Sequence, residues 1–325
     1  MELLKSEIIN LLQNEKEQDI LFEKADFVRK QSVGNKIYLR GLIEFSNICR
    51  NNCLYCGIRA GNKKVIRYHL SEEQIVSTAH RAFDLGFKTV VLQSGEDMSY
   101  SCESLCRIIE KIKQKDIIVT LSIGERDYKD YYALKNSGAD RYLMRIETTD
   151  RELYHKLDPN MSWQRRYECL MMLKELKYEL GSGIMVGLPG QTIESIADDL
   201  LFLKKIEIDM AGIGAFIPHP DTPLKDCQPG NLGLSLRTLS VMRLLMPNIN
   251  MPATTAIACL SGNNYMKALN AGANVVMLNV MDNKYRKLYE LYPYKERSNE
   301  TADSELNRLK IDLQSQGQVI DIDER

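Results

Sequence analysis

Between residues 37 and 293 one pattern recurs: an apolar run rich in Val, Ile and Leu, a polar loop, then a stretch with the apolar spacing of a helix. Strands that are apolar throughout, rather than at alternate positions, need cover on both faces, and intervening helices supply it for a parallel sheet. The pattern predicts strands at 37–45, 89–93, 117–122, 141–147, 182–187, 210–216, 252–256 and 274–279. Helices are predicted at 72–85, 101–115, 127–137, 163–180, 193–205, 235–246, 263–270 and 283–291. Eight such units imply an α/β fold closed as a (β/α)8 TIM-type barrel, with a doubly wound open sheet as the fallback. Gly86, Gly138 and Gly272 fall between a helix and the next strand, where glycine can take the left-handed helix-ending conformation.

Residues 1–36 show amphipathic spacing at Leu3, Leu4, Ile8, Ile9 and Leu12, and are expected to form a helical extension lidding one barrel end. Residues 294–325 are more polar and are expected to wrap the outside as a tail. No low-complexity linker or charge block divides the chain, so a single domain over 1–325 with its barrel at 37–293 is expected. With 43 Lys and Arg against 44 Asp and Glu, nothing draws the chain as a whole to nucleic acid or to an anionic membrane. The N-terminus lacks the order of a signal peptide, and no stretch approaches the roughly 20 apolar residues of a membrane span. A cytoplasmic location is therefore expected, where stable disulfides are disfavoured. Cys102, Cys106, Cys169, Cys227 and Cys259 are scattered and read as ordinary thiols.

The remaining cysteines are different. Cys49, Cys53 and Cys56 crowd three thiols onto the loop after the first strand. Thiolates are the ligands of iron–sulfur clusters, and three suit three irons of a [4Fe–4S] cube, leaving the fourth iron open to a substrate or cofactor. A zinc site would want a fourth Cys or His nearby, and Cys53-Leu54-Tyr55-Cys56 alone could be a redox pair, but neither explains three thiols leading a barrel.

Barrel enzymes react at the carboxyl ends of their strands, and here those ends are polar. They carry Glu44 and Ser46; Gln93-Ser94-Gly95-Glu96-Asp97; Thr120 and Ser122; Arg145 and Glu147; residues 187–192; residues 218–223; and Thr254-Thr255. Arg145 and Glu147, two apart on a strand, point the same way, as an internal ion pair or as a pair facing a ligand. Arg166 could add a cation for a carboxylate. His69, His80 and His155 read as surface residues, while His219 sits in a strand-end loop and is a candidate for ligand contact. The signatures of zinc proteases, serine hydrolases and P-loop enzymes are absent.

The spacing Cys49-x3-Cys53-x2-Cys56, with Tyr55 before the third cysteine, resembles that of the radical S-adenosylmethionine (SAM) superfamily. Further blocks at 43–60, 93–97, 120–125, 185–192, 212–224, 252–256 and 285–293 resemble the HydE family, the radical SAM maturases of the [FeFe]-hydrogenase H-cluster. The resemblance implies one [4Fe–4S] cluster on the three cysteines, SAM on the open iron, and reductive cleavage of SAM to a 5′-deoxyadenosyl radical. It carries Tyr55, Ser94, Gly95, Glu96, Glu147 and Arg166 over as SAM-binding positions. Gln93, Thr120, Ser122, Arg145, Met210, Thr254, Thr255, Tyr289 and Tyr292 match the family's substrate cavity. Tyr289 and Tyr292 also suit one helix face, and without the resemblance they read equally well as barrel-bottom packing.

The implied substrate is a small iron complex carrying cysteine, carbon monoxide and cyanide. The implied partners are a second radical SAM maturation enzyme, a GTPase scaffold, and an electron donor such as ferredoxin or flavodoxin. Two departures stand out. The last cysteine is Cys259, so the accessory cluster that some relatives bind through three late cysteines is not expected; and Ile146 stands where some relatives have histidine. The competing readings are a mutase or sulfur-inserting enzyme of the methylornithine synthase or biotin synthase kind, and a non-catalytic iron–sulfur carrier or sensor.

Overall fold

The computed structural model describes residues 3–262, 264–293 and 301–321. Helices α1 (Lys5–Gln13) and α2 (Gln18–Val33) precede strand β1 (Lys36–Ser46). The chain continues through α3 (Glu72–Asp84), β2 (Thr89–Ser94), α4 (Cys102–Ile112), β3 (Ile118–Ser122), α5 (Tyr128–Asn136) and β4 (Arg141–Leu143). Next come α6 (Arg151–Leu157), α7 (Trp163–Glu175), β5 (Glu179–Val186), α8 (Ile193–Lys205), β6 (Met210–Ala215) and α9 (Leu232–Leu245). The last part holds α10 (Thr255–Leu260), α11 (Met266–Asn270), β7 (Val275–Asn279), α12 (Asn283–Arg286), α13 (Ala302–Ser315) and β8 (Val319–Asp321).

The strands form one curled parallel sheet in the order β6-β5-β4-β3-β2-β1-β7, with β8 also on β1. This is the expected TIM-type architecture, with an apolar layer between sheet and helices. Local signals agree with it. Ser71 and Thr192 cap α3 and α8 with reciprocal capping boxes. Gly86, Gly138 and Gly272 stand at φ 98°, 107° and 110°, each ending a helix before a strand.

Three expectations change. The strand expected at 252–256 is absent: residues 250 and 252 make only isolated bridges, to Met210 and Val275, and Thr255 begins α10. These bridges span the seam between β6 and β7. Arg243 of α9 stitches the seam from behind, donating from Nε to Gly272 O (2.8 Å), from Nη1 to Pro247 O and Ile249 O (2.8 Å each), and from Nη2 to Asn274 Oδ1 (3.0 Å). The strand expected at 141–147 stops at Leu143, and Glu147 alone rejoins the sheet opposite Ile184. Its φ of 64° is left-handed, which no regular ladder accommodates. The helix expected at 283–291 ends at Arg286, so Tyr289 and Tyr292 do not share a helix face.

The ends of the chain also differ from expectation. Helices α1 and α2 pack mainly on α8, α9 and α11, joining the outer helical layer rather than lidding a barrel end. The segment expected to be a polar tail carries α13, which buries Leu306, Leu309 and Leu313, and β8, which pairs with Lys36–Tyr38 of β1. Tyr294 to Glu300 and the last four residues of that segment lie outside the described residues. Among the described residues no helix is long and apolar enough to cross a membrane.

Candidate active site

The loop from Asn47 to Ser71 carries the three cysteines and is cross-braced by its own polar residues. Asn47 is fully buried; its Nδ2 donates to Ile66 O (2.9 Å) and Leu288 O (2.7 Å), and its Oδ1 accepts from Tyr68 N (2.8 Å). Arg67 donates to four carbonyls of the same loop, those of Asn47, Ile58, Arg59 and Asn62, at 2.6–3.1 Å. These bonds replace the backbone partners that helix or sheet would have given, so an irregular segment becomes rigid.

Two glycines set how closely the neighbouring segments approach. A Cβ on Gly95 would stand 2.2 Å from Ile48 O, and one on Gly57 would stand 2.1 Å from Glu290 O and 2.7 Å from the His219 ring. Gly95 N donates to Ser46 O (2.9 Å) and Gly57 N to Leu291 O (2.9 Å). His219 is thus buried behind the loop as a packing partner, and it does not line the cavity below.

Cys49, Cys53 and Cys56 face a cavity of about 810 Å³ at the carboxyl ends of the strands. Tyr55, Gln93, Ser94, Gly95, Glu96, Ser122, Arg145, Glu147, Arg166, Thr254, Thr255, Tyr289 and Tyr292 also line it. Thr120 and Met210 do not: both are buried, Thr120 mid-strand and Met210 at the amino end of β6, below the strand ends that form the cavity.

The polar groups divide into those satisfied by protein and those left open. Glu96 accepts from Arg50 Nε (2.8 Å) and Asn51 Nδ2 (2.7 Å), so it anchors the cysteine loop. Arg166 donates from Nε to Glu125 (2.7 Å) and from Nη1 to Arg145 O (2.6 Å), and its Nη2 has no protein partner among the described residues. Arg145 Nη2 stands 3.1 Å from Glu147 Oε2, so this pair is an ion pair and also faces the cavity. Gly214 leaves room for that guanidinium, since a Cβ there would stand 3.0 Å from Arg145 Nη1. Arg145 Nε and Tyr154 Oη are buried without a hydrogen bond among the described residues, and such groups are costly unless a ligand meets them.

Several cavity positions carried no signal in the sequence. Tyr154, Asp158 and Met161 line the cavity from α6 and the loop after it. Leu54 N donates to Leu157 O (2.8 Å) and Tyr55 Oη to Asp158 Oδ1 (2.8 Å), which latches the cysteine loop to this segment. Their placement depends on where α6 ends, and no periodicity reports that. Glu44 is buried in the cavity wall, and burial raises its carboxyl to about 8 against the opposing effects of Asn279 and Arg286.

Burial likewise pushes the Cys56 thiol up to about 12 and those of Cys53 and Cys49 upward. A cationic metal centre bound here would displace those protons. Among the described residues no three Cys, His, Asp or Glu side chains converge as on a single ion. A cube takes each thiolate at a different iron, so its cysteines stand further apart than ligands that share one ion. Three soft donors together with open polar groups on the same cavity therefore fit a cluster plus a polar cofactor.

Residues 43–203 match the radical SAM superfamily. The [FeFe] hydrogenase maturase subunit HydE of Thermotoga maritima is 49% identical over 85% of this chain and 80% of that protein. The chain belongs to the HydE family of radical SAM enzymes. That family sits beside others of similar fold. The 3-methylornithine synthase of Methanosarcina acetivorans is 31% identical over 82% of this chain and 75% of its own length. The crystal structure of methylornithine synthase (PylB) superposes with a TM-score of 0.87, covering 99% of this chain and 95% of that one at 27% identity. As a HydE-family member, the chain is a radical SAM enzyme of TIM type.

Proposed function

We propose that this HydE-family enzyme holds a [4Fe–4S] cluster on Cys49, Cys53 and Cys56, and acts on a small iron complex bearing cysteine, carbon monoxide and cyanide in assembly of the di-iron subcluster of [FeFe]-hydrogenase. The observation that carries this reading is one cavity lined by three cysteine thiols on one side and by open polar groups on the other. One-electron reductive cleavage of SAM to a 5′-deoxyadenosyl radical is the chemistry that cluster and cofactor supply when bound.

The chain's own residues do the rest. Arg166 Nη2 offers a donor to a carboxylate, Glu147 presents to the cofactor the carboxylate it shares with Arg145, Tyr154 offers an unmet hydroxyl, and the Ser94–Glu96 segment lies against Cys49. Gln93, Ser122, Arg145, Thr255 and Tyr292 present donors suited to cyanide and carboxylate acceptors. The walls exclude water and stray hydrogen donors from a reactive intermediate. HydE of Thermotoga maritima is named as a hydrogenase maturase subunit, and this supports the same pathway and partner set here.

Anaerobic reconstitution with dithionite tests the reading. The protein should convert SAM to 5′-deoxyadenosine, and Cys53→Ser should lose both the visible absorption of the cluster and this activity. A normal cluster with no cleavage under any candidate substrate would favour an iron–sulfur carrier. Formation of methylornithine or biotin in place of turnover of the iron complex would favour the related mutase or sulfur-inserting reading, which the 31% identity to 3-methylornithine synthase keeps as the second choice.

A further inference from the structure

Reductive cleavage consumes one electron per SAM, and that electron must come from outside this chain. The other five cysteines are dispersed, so no second three-thiol loop stands ready as a relay. Another redox protein must therefore deliver the electron across the surface nearest the cluster loop.

The cluster loop itself carries charge of one sign. From Phe45 to Ser71 there are five Lys and Arg residues and no Asp or Glu, in a chain whose net charge is −1. Arg67 is spent on the loop's own carbonyls and the Arg50 guanidinium is held on one side by Glu96, while Lys63 and Lys64 are exposed. Arg50, adjacent to Cys49, has half of its side chain in water, and Lys64 has 78%. Ile66 is 69% exposed among these cations, and Met98, two residues beyond the Glu96 that Arg50 grips, is 49% exposed. Asn47 ties Ile66 O and Leu288 O together, which brings the exposed Lys287 alongside. Two carboxylates meet these cations, Asp221 on Lys64 and the buried Glu96 on Arg50, and Glu290 stands near His219.

We propose that the outer face of the cluster loop, with Arg50, Lys63 and Lys64 around Ile66, is the docking surface for an acidic one-electron carrier protein. This rests on the cluster assignment proposed above. Apolar side chains ringed by like charges match the usual anatomy of a transient interface. The bracing by Asn47 and Arg67 pre-forms the surface, so docking need not order it. In the transfer step the reduced carrier loses one electron and the cluster gains it, with no bond made or broken. One residue, Arg50, links this surface to the Cys49 ligand position.

The test uses the cluster-loaded protein and reduced flavodoxin as the probe, with bleaching of the cluster's visible absorption followed by stopped flow. Lys63→Glu/Lys64→Glu should slow reduction by flavodoxin at least about tenfold at low salt and flatten its salt dependence, while dithionite reduces both proteins at the same rate. Ile66→Ala should slow the flavodoxin reaction at every salt concentration. Equal flavodoxin rates in wild type and both variants would overturn the proposal. So would variants that impair only substrate delivery by another maturation protein. Should charge reversal also slow dithionite, Lys63→Gln/Lys64→Gln decides by the same comparison. Dithionite-driven cleavage of SAM by the wild type reports separately on the proposed function.

Discussion

Of the two close approaches to the cysteine loop, the one at Gly95 bears directly on Cys49, and Gly95→Ala measures what it protects. A methyl group there would meet Ile48 O at 2.2 Å and Cys49 Cβ at 2.8 Å. Ordinary contact begins near 3.4 Å, so backbone must separate by about 1.2 Å. Neither side yields freely: Gly95 N donates to Ser46 O, and Arg50 N donates to Glu96 O on the other flank. Overpacking of this kind costs about 1–3 kcal/mol in stability. Its larger effect is on geometry, since moving Cys49 by about 1 Å displaces a reacting centre, which can cost roughly 10²-fold in rate. Gly41→Ala is the matched control, because Gly41 lies on β1 outside the cavity and a Cβ there meets Ala82 Cβ at an ordinary 3.4 Å. Iron content, visible absorption and the initial rate of 5′-deoxyadenosine formation should fall for Gly95→Ala and hold for Gly41→Ala. Full iron loading and at least half the wild-type rate in Gly95→Ala would refute the steric argument, as would equal damage from Gly41→Ala.

Further outcomes follow from buried carboxylates. Asp199 is fully buried and accepts from Thr149 N (2.5 Å) and Thr149 Oγ1 (2.6 Å), fixing the turn after the left-handed Glu147. Asp199→Ala leaves those donors unmet, so unfolding in urea should show a loss of at least about 2 kcal/mol, and calorimetry should show weaker SAM binding. Unchanged SAM affinity would detach Asp199 from the cofactor site. Glu44 has its carboxyl raised from 4.5 to about 8 by burial, so the folded state keeps a proton that the unfolded chain releases. Its stabilising effect is complete below pH 4.5 and declines as pH rises towards 8. Glu44→Gln should remove that decline, and the gap in melting temperature between variant and wild type should widen over this window. A gap independent of pH would show that Glu44 is ionised in the fold.

Much of this molecule was legible in the order of its residues. Strands such as β1, β2 and β6 are covered on both faces, and a continuous apolar run reports that directly. Gly86, Gly138 and Gly272 mark helix ends because only the local backbone conformation is at stake. The three cysteines are close in sequence, and so their spacing alone pointed to a cluster. The errors lie where distant contacts override local preference. Residues 250–256 are apolar enough for a strand, but Arg243 holds the seam from behind and the chain turns into α10 after two bridges. Arg145 and Glu147 read as strand residues, yet the left-handed Glu147 breaks the ladder and brings both to the cavity.

The loop that opens the barrel divides along the same line. The sequence by itself determined its composition: three thiols within eight residues, and five cations with no acid among them. Only the tertiary structure decided what those groups meet, because Asp158, which accepts from Tyr55, lies 103 residues further along the chain. It also decided that Thr120 and Met210 lie below the cavity while Tyr289 and Tyr292 reach it. Ligand type is a property of one side chain, whereas the shape of a cavity belongs to every segment that closes it.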